Sequence, residues 1–186
     1  MQDNQRQTHW AYIAGIMDAD GCFMIGKYNR KTKRRTTERA LAFPTNLSQW
    51  NPVYLPTVKI AMVEPEAIDF IMNDMKFGSM TLDGARKNRP NCKPIFHWYI
   101  RSREAIIPFL EGIIPHLRVK RNRAELLLEF SKHIKNEGVP GYRGTSDNEL
   151  NYREQSYVKI RELNGNKVAA TTKSFRRESV SDSLNL

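Results

Sequence analysis

Cysteine is scarce in this chain: Cys22 and Cys92 are the only two in 186 residues, and they form no paired spacing. That argues against a disulfide scaffold and a zinc site and for a reducing compartment. The four histidines (His9, His97, His116, His133) are scattered and match no metal-ligand pattern. No run of about 18 apolar residues exists, so no membrane span is expected. Met1 to Thr8 is polar and lacks the apolar stretch of a signal sequence. No segment repeats. Acid is the last shortage: 20 Asp and Glu stand against 30 Lys and Arg, a net charge of +10. From Gly84 to Arg103 there is no acid at all, and Lys27 to Arg39 carries seven basic residues against one Glu. Such clustering points to a polyanionic partner. Nucleic acid is favoured over a membrane surface, because no helix sets a basic face against a broad apolar one.

The 40% of apolar residues suffices for one core, and the length suits one domain with an appendage. Cys22 to Arg30 alternates as a strand, with Phe23 and Ile25 inward and Met24, Gly26, Tyr28 and Arg30 on the other face. The basic stretch that follows fits a hairpin tip or an arm. Asn46 to Pro56 reads as loop, with Trp50 and Tyr54 packing it down in preference to stacking on a base. Thr57 to Val63 is a second strand, with Val58, Ile60 and Met62 inward and Thr57, Lys59 and Ala61 outward. Pro65 opens a helix bearing Ile68, Ile71, Met72 and Met75, and Gly78 closes that segment. Ser79 to Leu82 is a short strand. Ile95 to Arg101 is the clearest one: Phe96, Trp98 and Ile100 face one way, His97, Tyr99 and Arg101 the other. Ser102 caps a helix through Ile114, with Pro108 in its first turn or kinking it, and Pro115 ends it. A further helix spans Lys120 to Lys135, with Leu127, Phe130 and Ile134 buried. Gly138 to Asn148 reads as turn, and Tyr152 to Leu163 as a last helix. The polar chain after about Glu178 is expected to be disordered.

The stretch Ile13-Ala14-Gly15-Ile16-Met17-Asp18-Ala19-Asp20-Gly21 organises these elements. Ala11, Gly15 and Ala19, four residues apart, leave a stripe almost free of side chain, along which another backbone could come close. The helix then ends on Asp18 and Asp20, with Gly21 placed for a left-handed closing residue. Carboxylates there oppose the helix dipole, so a cation, most naturally a divalent metal with oxygen ligands, is expected to offset them. The run Arg118-Val119-Lys120-Arg121 makes the reverse mismatch, cations at a helix N-terminus, which a phosphate would offset.

The nine-residue stretch resembles the signature of the LAGLIDADG homing endonucleases, with Ile for the first Leu and Ile-Met for the Leu-Ile pair. The element order matches the αββαββα core of that family from about Thr8 to Lys135. His97 to Ile134 is similar to the single-motif homodimeric members in spacing, and the final helix to their C-terminal extension. The resemblance implies an α+β fold in which helices cover one face of an antiparallel sheet and the other face lies open. Residues 1–135 would be the core domain and 136–186 a helical extension with a basic tail. It further implies a site-specific, metal-dependent double-strand break in a long pseudo-palindromic DNA target, made by an intron-encoded homodimer. Asp20 would bind Mg²⁺, with Mn²⁺ able to substitute, and the Ala19 carbonyl would assist. Lys120 would sit beside the nucleophilic water, and Asp18 would be structural, near the helix junction. The dimer would close through Ala11, Gly15, Asp18 and Ala19.

DNA contacts are expected from Tyr28, Arg30, Lys33, Arg34 and Arg35 in the first hairpin, and from Lys59, Arg86 and Lys87. His97, Tyr99 and Arg101 add the outward face of the clearest strand; Arg118, Arg121 and Lys173 complete the set. One departure stands out. The family usually places a water-ordering Gln at the end of the second strand, where Met62 or Val63 stands here, with Glu64 the nearest polar group. The alternatives are an intron RNA-splicing maturase on the same fold, with intron RNA as partner, and a non-catalytic DNA-binding regulator.

Overall fold

A computed structural model describes residues 2–28, 52–73, 75–83, 93–136 and 145–166. The elements in chain order are α1 (Gln2–Ala19), β1 (Cys22–Tyr28), β2 (Val53–Met62), α2 (Glu66–Asn73), β3 (Ser79–Asp83) and β4 (Ile95–Ile100). Then follow α3 (Arg103–Ile113), a 3₁₀ turn (Ile114–His116), α4 (Arg121–Asn136) and α5 (Asp147–Leu163). The four strands form one antiparallel sheet in the order β1-β2-β4-β3. Among the described residues, no helix is long and apolar enough to cross a membrane.

Alternation decides which face is covered. The register pairs Phe23 with Val58 and Ile25 with Pro56, then Ile60 with Trp98 and Val58 with Ile100. These residues share one face and are buried among Ile13 and Met17 of α1, Ile106, Phe109 and Ile113 of α3, and Leu127 and Phe130 of α4. Trp98 is the largest of them, fully buried, with its indole N–H donating to the Phe77 carbonyl at 3.0 Å. Among the described residues the opposite face carries no helix contact of comparable kind, and it presents Lys59, Tyr99 and His97 half-exposed. An α+β sheet with helices on one side is therefore the architecture, as the element order implied.

Several boundaries differ from the sequence reading. α1 starts at Gln2, eight residues before the first apolar side chain of its inner face, Trp10; Asn4 to Thr8 are polar and exposed. β2 begins at Val53, inside the stretch read as loop, and Tyr54 is buried on its core face. Pro56 is tolerated because it pairs only with β1; β4 reaches no further along β2 than Val58. Pro108 lies inside α3, beyond the first turn. Ser102 precedes α3, but its hydroxyl donates to Glu104 at 2.7 Å and makes no cap bond. α5 begins at Asp147, inside the stretch read as turn: the Ser146 side chain accepts the Glu149 N–H at 3.3 Å. The signal was present, since Ser146-x-x-Glu149 has the spacing of a capping box. Trp50 and the basic stretch beyond Tyr28 lie outside the described residues.

α5 is not peripheral to the packing. Its Ile160 joins the core, the Asn164 side-chain amide donates to the Phe23 carbonyl at 2.9 Å, and Arg123 of α4 donates to the Leu163 carbonyl at 2.9 Å. Glu154 accepts from Lys27 at 2.6 Å and from the Tyr54 hydroxyl. Burial and the Glu154 carboxylate push that phenol well above the usual tyrosine range. The Lys27 ammonium also lies 5.6 Å from the ring centres of both Tyr54 and Tyr157.

Candidate active site and nucleic-acid face

The acidic end of α1 meets the basic start of α4, and the two expected mismatches cancel each other. The backbone N–H groups of Arg118, Val119 and Lys120 donate to the Asp18 carboxylate at 2.8, 3.2 and 2.9 Å. In return the Lys120 ammonium donates to the carbonyls of Met17, Ala19 and Gly21 at 3.1, 2.9 and 2.7 Å. Lys120 itself stands at the N-cap of α4, its carbonyl accepting from Arg123 and Ala124 at 3.1 Å each. An acid from one helix thus satisfies donors at the start of the other, and a cation from that helix satisfies acceptors at the end of the first. Asp18 does not wait for a metal, nor Lys120 for a phosphate: each already has its opposite pole.

The electrostatics follow this exchange. Burial raises the Asp18 pKa, but the N–H groups of Arg118, Lys120 and Val119 and the Lys120 charge outweigh it and hold it below the ordinary carboxylate value. Burial and the neighbouring Arg123 bring Lys120 below the usual ammonium range, against opposing pulls from Cys22, Asp18 and Asp20.

Asp20 is different. It is exposed, and among the described residues its carboxylate has no hydrogen bond or ion pair. Gly21 serves Asp20 by a route other than the expected one. Its φ is not left-handed; instead, a Cβ there would lie 2.6 Å from the Met17 Cα and 2.7 Å from the Met17 carbonyl oxygen. The chain can turn from α1 into β1 this tightly only where a side chain is missing. The Ala19 carbonyl, expected to assist a metal, is already an acceptor for Lys120. No three His, Cys, Asp or Glu residues come together as a metal-binding set among the described residues.

The small-residue stripe is on the outside. Ala11, Gly15 and Ala19 are exposed, and a Cβ on Gly15 would meet nothing within 4 Å. Beside the stripe runs an open groove of about 550 Å³, lined by Ala11, Gly15 and Asp18 on one side and by residues from Pro115 to Arg121 on the other. Arg118 and Arg121 are therefore next to the α1 stripe rather than on the sheet. The Arg121 guanidinium is turned back onto the Leu117 and Pro115 carbonyls at 3.1 and 3.0 Å.

On the open sheet face the register aligns Cys22, Lys59, Tyr99 and Ser79 in one row and Ala61, His97 and Thr81 in the next. Lys59, His97 and Tyr99 share this face as expected. Arg101, just past β4, lays its guanidinium 4.2 Å from the centre of the Tyr99 ring. His97 Nε2 is 3.7 Å from Asp83, and its buried Nδ1 has no hydrogen-bond partner. Tyr28 stands at the far end, 48% exposed. Arg30, Lys33, Arg34, Arg35, Arg86, Lys87 and Lys173 lie outside the described residues. The structure also brings Leu55 onto this face, 40% exposed, which the loop reading of its segment had hidden.

The departure at the second strand holds. Lys59 is opposite Cys22, and the core-face residues beyond it are Ile60, fully buried, and Met62, half-buried. Glu64 is exposed and pairs with Lys93 at 3.4 Å. Among the described residues, no polar side chain takes the place of the expected Gln at that strand end.

No family model and no curated protein matches the sequence of this chain. Solved structures do match its fold. Against the homing endonuclease I-CvuI, in complex with the I-CreI target and magnesium, the TM-score is 0.51 at 17% identity, over 88% of this chain and 99% of that one. Against the group I intron-encoded homing endonuclease I-CeuI complexed with DNA it is 0.55 at 13% identity, over 85% and 68%. Against the LAGLIDADG meganuclease I-AabMI bound to uncleaved DNA it is 0.54 at 17% identity, over 86% of this chain and 46% of that one.

Proposed function

This chain has the fold of the LAGLIDADG homing endonucleases, and on that premise we propose that it is a homodimeric, metal-dependent, site-specific DNA endonuclease. The observation that carries the proposal is Asp20. It is an exposed carboxylate without a hydrogen bond or ion pair among the described residues, on a helix end where its neighbour Asp18 is fully engaged. A free hard-oxygen donor fits Mg²⁺ or Mn²⁺, and a single one does not hold such an ion. Two chains packed through the exposed Ala11–Gly15–Ala19 stripe would supply two, one for each strand of a duplex, and imply a pseudo-palindromic target.

A metal held by Asp20 would supply charge stabilisation to the scissile phosphate and activation of a water. The chain's own residues do the positioning. Lys120 fixes the last turn of α1 through three carbonyls and so fixes where Asp20 points. It also keeps a cation within reach of an attacking water's environment. The open sheet face, with Lys59, Tyr99, His97 and Arg101, is suited to the edges of bases in a major groove. Expression from a mobile intron belongs to the same proposal. The apolar Met62 and Val63 at the second strand end, where a Gln would order water, favour one second reading, a regulator that binds DNA without cutting it.

One experiment separates the two. The full chain is incubated with a library of random duplexes, with and without Mg²⁺, and the Asp20→Asn variant is run beside it. Cleavage that needs the metal and is lost in the variant, with binding kept, is the expected result. Loss of a metal carboxylate should remove several kcal/mol of transition-state stabilisation, roughly a thousandfold or more in rate. Equal cleavage by variant and wild type would remove Asp20 from the site, and specific binding without cleavage would leave the regulator.

A further inference from the structure

The open sheet face changes chemistry along its length. At the row nearest Asp20 it is polar and cationic, with Lys59 opposite Cys22 and Tyr99. One pair further on, at Val58 and Ile100, the pairing of β4 with β2 ends, and β1 and β2 continue alone as a two-stranded ribbon. On the same face of this ribbon the register sets Met24 opposite Thr57, Gly26 opposite Leu55, and Tyr28 opposite Val53. None of these carries a charge. Leu55 and Tyr28 are 40% and 48% exposed, and the Tyr28 ring lies over Gly26, where a Cβ would come within 2.6 Å of it. Apolar side chains on an open strand face are a liability unless something covers them.

Resting on the DNA reading above, we infer that this apolar ribbon face reads thymine methyl groups in the target. Charge complementarity selects the occupant. The chain carries +10, Lys59 and Arg101 flank the patch, and Asp83 is the one acid on this face among the described residues. A two-stranded ribbon fits a major groove, and the thymine C5-methyl is the one apolar group that a base pair presents there. Strand rise and base-pair rise are both about 3.4 Å. Leu55 lies four residues from Lys59 and Tyr28 two residues further along the register, so they meet bases about four to six pairs out from the polar row. The polar row would read hydrogen-bonding edges near the cut, and the ribbon thymines outside it.

The test uses the full chain in Ca²⁺ and a duplex that it selects from a random library. Each thymine is replaced in turn by deoxyuridine, which removes only the methyl. Binding should weaken about fourfold at one or more thymines four to six pairs from the polar row's position, as expected for one buried methyl. Leu55→Ala, at an exposed position, should melt like wild type and lose the distinction at one of those thymines. Equal binding of thymine and uracil duplexes overturns the inference while leaving the DNA reading in place, as does a selected target with no thymine there. If Leu55→Ala instead changes self-association, the face belongs to a second copy of the chain and the inference falls. Failure to select any duplex overturns the DNA reading and this inference with it.

Discussion

Replacing Asp18 should loosen the junction of α1 and α4 without touching the free carboxylate two residues on. In the wild type one side chain accepts three backbone N–H groups from Arg118, Val119 and Lys120, at 2.8 to 3.2 Å. Bonds to a charged acceptor contribute about 1.5–3 kcal/mol each where water cannot replace them, but Arg118 and Val119 are exposed and water can. Removal of a cap at a helix N-terminus, about 0.5–2 kcal/mol, is the better guide. Asp18→Ala should therefore cost about 2 kcal/mol, a fall in Tm of about 4–8 °C for a chain of this size. Asp18→Asn keeps an acceptor and loses the charge, so it should fall between. The pH dependence has a definite sign. The folded pKa lies below the ordinary 3.8, so the stabilisation is complete above that value and is lost as pH falls through the folded value. Urea unfolding of wild type and Asp18→Asn should show a constant gap from pH 7 to 5 that closes in stronger acid. A double-mutant cycle with Lys120→Met should be non-additive, since each residue closes the other's helix end. An Asp18→Ala protein melting within a degree of wild type, or a gap that widens in acid, would refute the exchange of caps.

Three further outcomes are expected. Gly15→Leu should convert the proposed dimer to monomer in sedimentation at micromolar concentration and abolish cleavage, because a branched side chain would separate backbones that the proposed interface brings close; a dimeric, active variant would move the interface elsewhere. Trp98→Ala should lower stability by about 3–5 kcal/mol, since it empties a fully buried site against Phe109 and frees the Phe77 carbonyl. Tyr99→Ala and Arg101→Ala, on the other face, should leave Tm nearly unchanged and weaken or redirect binding by about 1–3 kcal/mol, with coupling between them because the Arg101 guanidinium lies over the Tyr99 ring. Lys120→Ala should slow cleavage more than it weakens binding, and lower Tm as well; a pure loss of affinity would reassign it to phosphate contact.

Periodicity made most of the fold readable in advance. Strict alternation in β1 and β4 told Phe23 and Trp98 from Met24 and Tyr99, and helical spacing marked Ile68 and Ile71 or Leu127 and Phe130. The readings failed where a local signal competed. Pro56 argued for loop because a sequence does not say which side of a strand lacks a neighbour. The Gly-rich approach to α5 masked a capping box at Ser146. At the site, the acids and the basic run were visible; their placement alone had them waiting for a ligand, and the family resemblance set Asp18 apart as structural. Only tertiary structure could show that Asp18 and Lys120 answer each other across about a hundred residues of chain, which leaves Asp20 as the acid still to be satisfied.

The contacts of α5 bear on the order in which the chain can be finished. Lys27 meets Glu154 across 127 residues, and the Phe23 carbonyl meets Asn164 across 141. A ribosome adding about 5–20 residues per second leaves the inner side of the β1–β2 ribbon uncovered for roughly 6–25 s after β1 is made. During that interval Tyr54 lacks the Glu154 carboxylate and the Tyr157 ring that it packs against, and the ribbon is freer to find another nascent chain. Synthesis therefore carries an aggregation hazard until α5 is complete, and a chain stopped ahead of Asp147 would remain in that state permanently.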